Sequence, residues 1–335
     1  MTDHDGVRDL LAAWAFGALP PAERRSVQPH LAECESCSAE AARLRETIRL
    51  LDGPPTNGTP AEPTADAHVL TRALRTRPAA PQVAPHAAPY AAAVAGLRAL
   101  LPELEGNWGT PVVHDWDAHA TLAHLLAADE HLAVRLGIGA RVPASRIEEG
   151  TAWEDAWDRR TTDVIAHEHG RDPGATVADW SAQAAELLAT PEARDSELAS
   201  CATLLMGIRL PVADHFVVRA FETWIHTDDL GRALGLHVPP PPGEHLGQLV
   251  RLAVRILGLA LGPTAPPVLF AITGGGEWVL GSEDEPVRAE LVLDPVDFCL
   301  LVGGRYTPDA VPRGATGDEV AVRNVLERAA ALAWL

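Results

Sequence analysis

Three proline-rich breaks cut this sequence into pieces that must build their secondary structure separately. They are "DGPPTNGTPAEPT" at 52–64, "RPAAPQVAPHAAP" at 77–89 and "HVPPPPGE" at 237–244. Proline removes a backbone donor and fixes φ, so no helix or central strand runs through such runs. Between the breaks the apolar residues recur at helical spacing. Residues 1–52 hold "VRDLLAAWAFGAL", "PPAERRSVQPHLAEC" and "SAEAARLRETIRLL", three amphipathic stretches. Residues 53–89 read as a stiff linker, with "ADAHVLTRALRT" predicting one short helix over 65–76. Residues 90–236 hold four long helical patterns, from "YAAAVAGLRALLPEL" to "LPVADHFVVRAFETWIHTDDLGRALGL", and predict an antiparallel four-helix bundle. Residues 243–335 change character. A helix, "LGQLVRLAVRILGLAL", precedes the strand-like runs "PPVLFAITGG", "GEWVLG" and "VRAELVLD", and two further helical patterns follow. The predicted class is mainly α with a C-terminal α+β module.

Charge narrows the function. The 335 residues carry a formal net charge of −19, and all 27 basic residues are arginine. Lysine Schiff-base and lysine general-base chemistry are excluded. Direct nucleic-acid binding needs a basic footprint, which this chain lacks, whereas a basic protein partner is compatible with it. The start, "MTDHDGVRDLL", is acidic and amphipathic, unlike a secretory signal. No apolar run is long enough to span a bilayer. The expectation is a cytoplasmic protein with no membrane contact. Four cysteines are too few for a disulfide framework at this length.

Two constellations carry chemistry. In "HLAECESC", His30 precedes Cys34 by one turn, and Cys34 and Cys37 form a Cys-x-x-Cys pair. Two thiolates at that spacing can grip one tetrahedral metal, and a histidine one turn earlier can join them. The same pair also fits a redox dithiol or inert thiols. An upstream His4 strengthens the metal reading. In "RAFETWIHTDDL", Glu222 and His226 lie four apart and point the same way from a helix with apolar flanks. His215, Arg219 and Asp229 fall on the same stripe. A polar stripe turned toward a bundle interior must be satisfied. A metal satisfies it if a third ligand comes from another helix, and His124 in "TLAHLLAADEHLAVRLG" is the candidate. The plain alternatives are a Glu–His pair on a wet surface and a hydrogen-bonded core histidine. His119, His131, His167 and His169 have no further claim, and the last two predict an exposed helix end. Cys201 and Cys299 sit in apolar strings and are expected to be buried.

The first 50 residues or so, "HDGVRDLLAAWAFGALPPAERRSVQPHLAECESCSAE", resemble the zinc-binding anti-sigma domain of actinobacteria. The resemblance implies a structural zinc on His30, Cys34 and Cys37. The fourth ligand comes from the first helix, where His4 is the candidate ahead of Asp3 and Asp5. It also implies a partner, a sigma factor of the extracytoplasmic-function type, clamped in part by a helix after the linker. Thiolate ligands of this kind can act as a redox switch. The chain has no cysteine in its first helix, which removes one disulfide partner and counts against that role.

The second region resembles another family. "DWDAHATLAHLLAADEHLAVRLG" with "RAFETWIHTDDLG" is similar to the metal-binding domain of mycothiol-dependent maleylpyruvate isomerases, within the DinB-like four-helix superfamily. Residues 243–335, with "EWVL", "DPVDFCLLVGGR" and "GDEVAVRNVL", resemble the sterol-carrier-like C-terminal domain of the same enzymes. The resemblance covers about 240 residues. It implies an open zinc site on His124, Glu222 and His226, able to bind a thiol such as mycothiol. Arg305 of the "GGR" motif would be a catalytic residue that binds a substrate carboxylate, with a surface arginine as the plain alternative, and Asp229 would orient His226 or serve only as a helix-end carboxylate. Three functions remain open from the sequence, the plainest being a scaffold in which neither site turns over. Another is an anti-sigma factor whose second region senses a small thiol or electrophile. The third is a mycothiol-dependent isomerase or S-transferase whose zinc domain makes protein contacts.

Overall fold

A computed structural model describes residues 4–15, 19, 21–51, 81–205 and 207–332. The chain divides into two compact units, 1–78 and 79–335. The predicted helix over 65–76 lies outside the described residues, as does Asp3.

The first unit is helical. Helices α1 (His4–Ala15), α2 (Pro21–Glu33) and α3 (Glu35–Leu51) pack around Val7, Leu11, Leu19, Val27, Cys37 and Ala41, all buried. That is a small core. The Arg45 guanidinium adds a cation–π contact, 3.6 Å above the Trp14 ring. Cys34 stands alone between α2 and α3, and its N–H donates to the His30 carbonyl at 2.8 Å.

The second unit opens with a bundle. Helices α4 (Ala88–Leu100), α5 (Ala118–Arg135), α6 (Trp153–His169) and α7 (Pro173–Ala189) are followed by the short α8 (Pro191–Arg194) and by α9 (Val212–Ala233). α4 packs along α9, and α5 packs on α7 and α6, which closes four helices around a core with α6 laid outside α5. Trp180, Tyr90 and Phe216 are fully buried there, each side chain contributing roughly 1.5–3 kcal/mol. Caps mark the starts. Asp117 accepts from the Ala120 N–H at 2.8 Å, and Asp172 caps α7 with a proline following. Two hairpins, β1 (Pro111–Val113) with β2 (Trp116–Asp117) and β3 (Ala202–Leu205) with β4 (Ile208–Pro211), flank α5 and α9.

The C-terminal α+β part begins with α10 (Gly243–Leu261). Strands β5 (Val268–Ile272), β6 (Glu277–Leu280), β7 (Ala289–Leu293) and β8 (Gly314–Gly317) form one sheet in the order β6-β5-β7-β8. β5 and β7 are parallel, and the other pairs are antiparallel. Val268, Phe270 and Ile272 alternate into the core with Ala289, Leu291 and Leu293, the period expected of strands with one covered face. Helices α11 (Pro295–Val302) and α12 (Glu319–Ala330) pack with α10, and α12 lies on β5 and β7. α10 also touches α4 and α9, so one apolar core runs from the bundle into the sheet. The mainly α class with a small α+β module is therefore the observed one. Among the described residues no helix is long and apolar enough to cross a membrane.

Candidate metal sites

In the first unit His4, His30, Cys34 and Cys37 converge, with one ligand atom from each lying within 4.8 Å of the others. His4 Nδ1 is 3.7 Å from both Cys34 Sγ and Cys37 Sγ. Tetrahedral zinc with bonds near 2.0–2.3 Å spaces its ligands by roughly 3.4–3.8 Å. The donor set therefore matches a closed structural site. His30 Nε2 is buried with no hydrogen-bond partner, which a metal would satisfy. The two thiols differ. The Ser36 hydroxyl, 3.2 Å from Cys34 Sγ, helped by the Cys37 N–H, pulls the Cys34 thiol down to about 6. Burial pushes the Cys37 thiol up.

In the second unit α5 supplies His124, and α9 supplies Glu222 and His226 one turn apart. All three are buried and their ligand atoms converge. Glu222 Oε2 lies 3.5 Å from His124 Nε2 and 3.6 Å from His226 Nε2. These separations also suit one small cation. His124 Nδ1 is buried and has no hydrogen-bond partner. Burial pushes His124 down to about 4, against the pull of Glu222, so the ring is neutral and able to bind a metal. Burial raises Glu222, but the adjacent His124 and His226 rings, with the Arg219 charge, outweigh it and hold the carboxyl well below the usual range. Burial lowers His226, but Asp229 and Glu222 outweigh it and the net shift is upward.

The surroundings of this cluster are specific. The Trp116 ring lies 4.6 Å from His124 at 30°, and Trp157 meets the same imidazole edge-on at 5.7 Å. Asp229, one turn beyond His226, sits 3.1 Å from its Nδ1. Nδ1 is therefore assigned the proton, which leaves Nε2 facing Glu222. Arg305 donates Nε to Asp229 Oδ1 at 3.0 Å, a second N–H to Asp229 Oδ2 and a third to the Gly303 carbonyl. The "GGR" turn explains how a residue after α11 reaches α9. A Cβ on Gly303 would stand 3.0 Å from Ile225 Cδ1, and Gly304 holds φ 73°, a conformation cheap only for glycine.

The other histidines separate cleanly. His119 is buried 2.8 Å from the Thr176 hydroxyl, which donates to Glu168. His131 is half-buried against Trp157, and His215 is buried near the Thr203 carbonyl. His167 and His169 occupy the exposed end of α6. Cys299 is buried, but the expectation for Cys201 fails: it is exposed just before β3. β3 and β4 pair only with each other, so alternate side chains of this short ribbon face water. Sequence reasoning also missed Trp116 and Trp157. The signal was present in "HDWDAH" and "EDAWDRR", tryptophans beside charged residues with no core of their own.

Residues 5–38 match the putative zinc-finger family. No curated protein matches the chain. Among solved structures, the chain is similar to a mycothiol-dependent maleylpyruvate isomerase and to a single-site mutant of it. Each is 15% identical, covering 70% of this chain and 92% of the other, with a TM-score of 0.49.

Proposed function

We propose that this protein is a cytoplasmic zinc-dependent anti-sigma factor. The first unit holds structural zinc on His4, His30, Cys34 and Cys37 and sequesters a sigma factor of the extracytoplasmic-function type. The second unit is its sensor, with zinc on His124, Glu222 and His226 and a small thiol or electrophile as the signal. One observation carries the reading: two ligand sets of different kinds lie in two compact units. The first supplies four ligands, the number for a closed structural site. The second supplies three, which leaves a coordination position for an exogenous group. A bound zinc there would supply Lewis acidity and lower the pKa of a thiol. The chain's own residues do the rest. Trp116 and Trp157 keep water from the His124 face, Asp229 fixes the His226 tautomer, and Arg305 neutralises Asp229. Sigma binding is tested by pull-down of the tagged protein from reducing lysate of its host, with mass spectrometry. Replacing His30 or Cys34 abolishes recovery of a stoichiometric sigma factor. Replacing His124 or Glu222 leaves that recovery intact without the signal.

A second reading is favoured by Arg305 beside the three-ligand cluster. It is a mycothiol-dependent isomerase or S-transferase, with the zinc domain as a protein-contact module. Turnover that survives His30→Ala and is lost with His124→Ala, in a protein that captures no sigma factor, establishes it instead.

A further inference from the structure

The β1–β2 hairpin contains a backbone outlier. Val113 pairs with Trp116, so the chain reverses through His114 and Asp115 alone. His114 holds φ 54°, the only positive φ among the described non-glycine residues. A two-residue hairpin turn that needs φ above zero at its first central position ordinarily takes glycine. Histidine tolerates the left-handed region better than most residues, yet the conformation still costs stability, and such costs concentrate at functional sites.

The location fits a site. β1 packs on α9, the helix that carries Glu222 and His226. The His114 ring is exposed and stands edge-on to Trp116 at 5.2 Å, and Trp116 in turn lies on His124. His114 is also within electrostatic reach of Arg305, His226 and Asp229. The side chain therefore stands beside Trp116, which itself meets the His124 and His226 rings of the three-ligand cluster.

A donor is needed there. Both edges of the Arg305 fork are engaged, by Asp229 and by the Gly303 carbonyl. A carboxylate arriving at the cluster does not find the bidentate guanidinium that the "GGR" motif suggests. The imidazole of His114 has no such commitment: burial and the Arg305 charge lower its pKa and favour the neutral ring, which still carries one N–H to donate, and among the described residues its ring contact is with Trp116.

We propose that His114 is a binding residue of this site. It donates a hydrogen bond to the carboxylate of a small thiol acid that lies against Trp116 with its sulfur toward His124, Glu222 and His226. This rests on the reading of that cluster as an open zinc site. The strained turn holds the ring against Trp116.

The test is calorimetric titration of the zinc-loaded full chain with N-acetylcysteine, and with N-acetylcysteamine, which lacks the carboxylate. His114→Ala is expected to weaken N-acetylcysteine roughly tenfold and to leave N-acetylcysteamine within about twofold. His114→Gly is expected to show the same selective loss while raising the melting temperature by roughly 2 °C, since glycine relieves the turn. Unchanged N-acetylcysteine affinity in both variants overturns the role of His114 and leaves the zinc reading standing. Equal loss of both ligands, or a His114→Gly protein that melts lower, makes the residue structural and also overturns it. If N-acetylcysteine fails to bind the zinc-loaded wild type, the ligand class and the open-site reading fall together.

Discussion

Asp229 stands 3.1 Å from His226 Nδ1, one turn further along the same helix. The same carboxylate accepts from Nε and one terminal nitrogen of Arg305, one edge of the guanidinium. Asp229 therefore orients a candidate metal ligand and ties the C-terminal module to the bundle. Burial alone would raise this carboxyl, but His226 and Arg305 outweigh it and keep it ionised. Removing an outer partner of this kind typically costs 10–100-fold in metal affinity. Asp229→Ala is expected to weaken zinc at the second cluster by about that factor and leave the first cluster unchanged. Competition with a chromophoric chelator reads both. Loss at both clusters, or at neither, contradicts the arrangement.

The two clusters should separate by metal content and by folding. Among the described residues the first unit's core is six residues, one of them Cys37, and cores of that size ordinarily depend on a metal. The second unit has a long continuous core of its own. Cys37→Ser is expected to lower zinc from about two per chain to about one and to melt α1–α3. Glu222→Gln is expected to remove the other equivalent with the helices of both units retained. Metal analysis with far-ultraviolet circular dichroism checks both outcomes. A Cys37→Ser protein with full helicity would show that the small unit does not need its zinc.

Short-range spacing made both candidate clusters legible in part. The i,i+4 relation of Glu222 and His226 and the Cys-x-x-Cys pair are properties of one helix or one turn, and the sequence states them directly. His124 and His4 come from other helices, so spacing could only nominate them and family resemblance had to select them. The first three C-terminal strands were visible because their apolar residues run or alternate between turns. β8, "GATG", carries no such signal, and neither do two-to-four-residue hairpin strands. α6, laid outside the bundle's four helices, was legible only as a helix end at His167 and His169, because "WEDAWDRRTTDVIAHEH" is strongly polar. The Asp229–Arg305 pairing spans 76 residues, and no local pattern encodes it.

The thiols give a graded reactivity that a single alkylation experiment reads. Cys201 is exposed and should label first in the zinc-loaded protein. Cys299 is fully buried, and that burial pushes its thiol far up, so it should label only on unfolding. After chelation Cys34, held near 6 mainly by Ser36, is a thiolate at pH 7, while Cys37 is pushed up by burial. Cys34 labelling should fall as pH drops through about 6, with Cys37 slower throughout. Peptide mass spectrometry after a short iodoacetamide pulse resolves the order. Equal rates at Cys34 and Cys37 would contradict the assigned asymmetry.

Acid should weaken the metal-free bundle through His124. Its folded pKa is near 4 because the ring is buried, whereas an unfolded histidine titrates near 6.5. Between those values the unfolded chain binds the extra proton, so stability falls as pH drops. Above about 6.5 the His124 contribution is fully present, and it is gone once pH passes below about 4. Glu222, also depressed, adds loss of the same sign as pH falls below the ordinary carboxylate range. His226 has the opposite sign, because its raised pKa favours the folded state as pH falls toward 6.5. The expected contribution of these three groups is thus flat or slightly rising as pH drops from 8 to 6.5, then falling toward pH 4, against the opposite contribution of buried Asp129, whose carboxyl burial raises to about 6. His124→Gln removes the first term and should flatten the fall, leaving the His226 rise in place. Thermal melts of chelated wild type and variant at half-unit pH steps make the comparison. Parallel curves would mean that another buried group drives the acid limb.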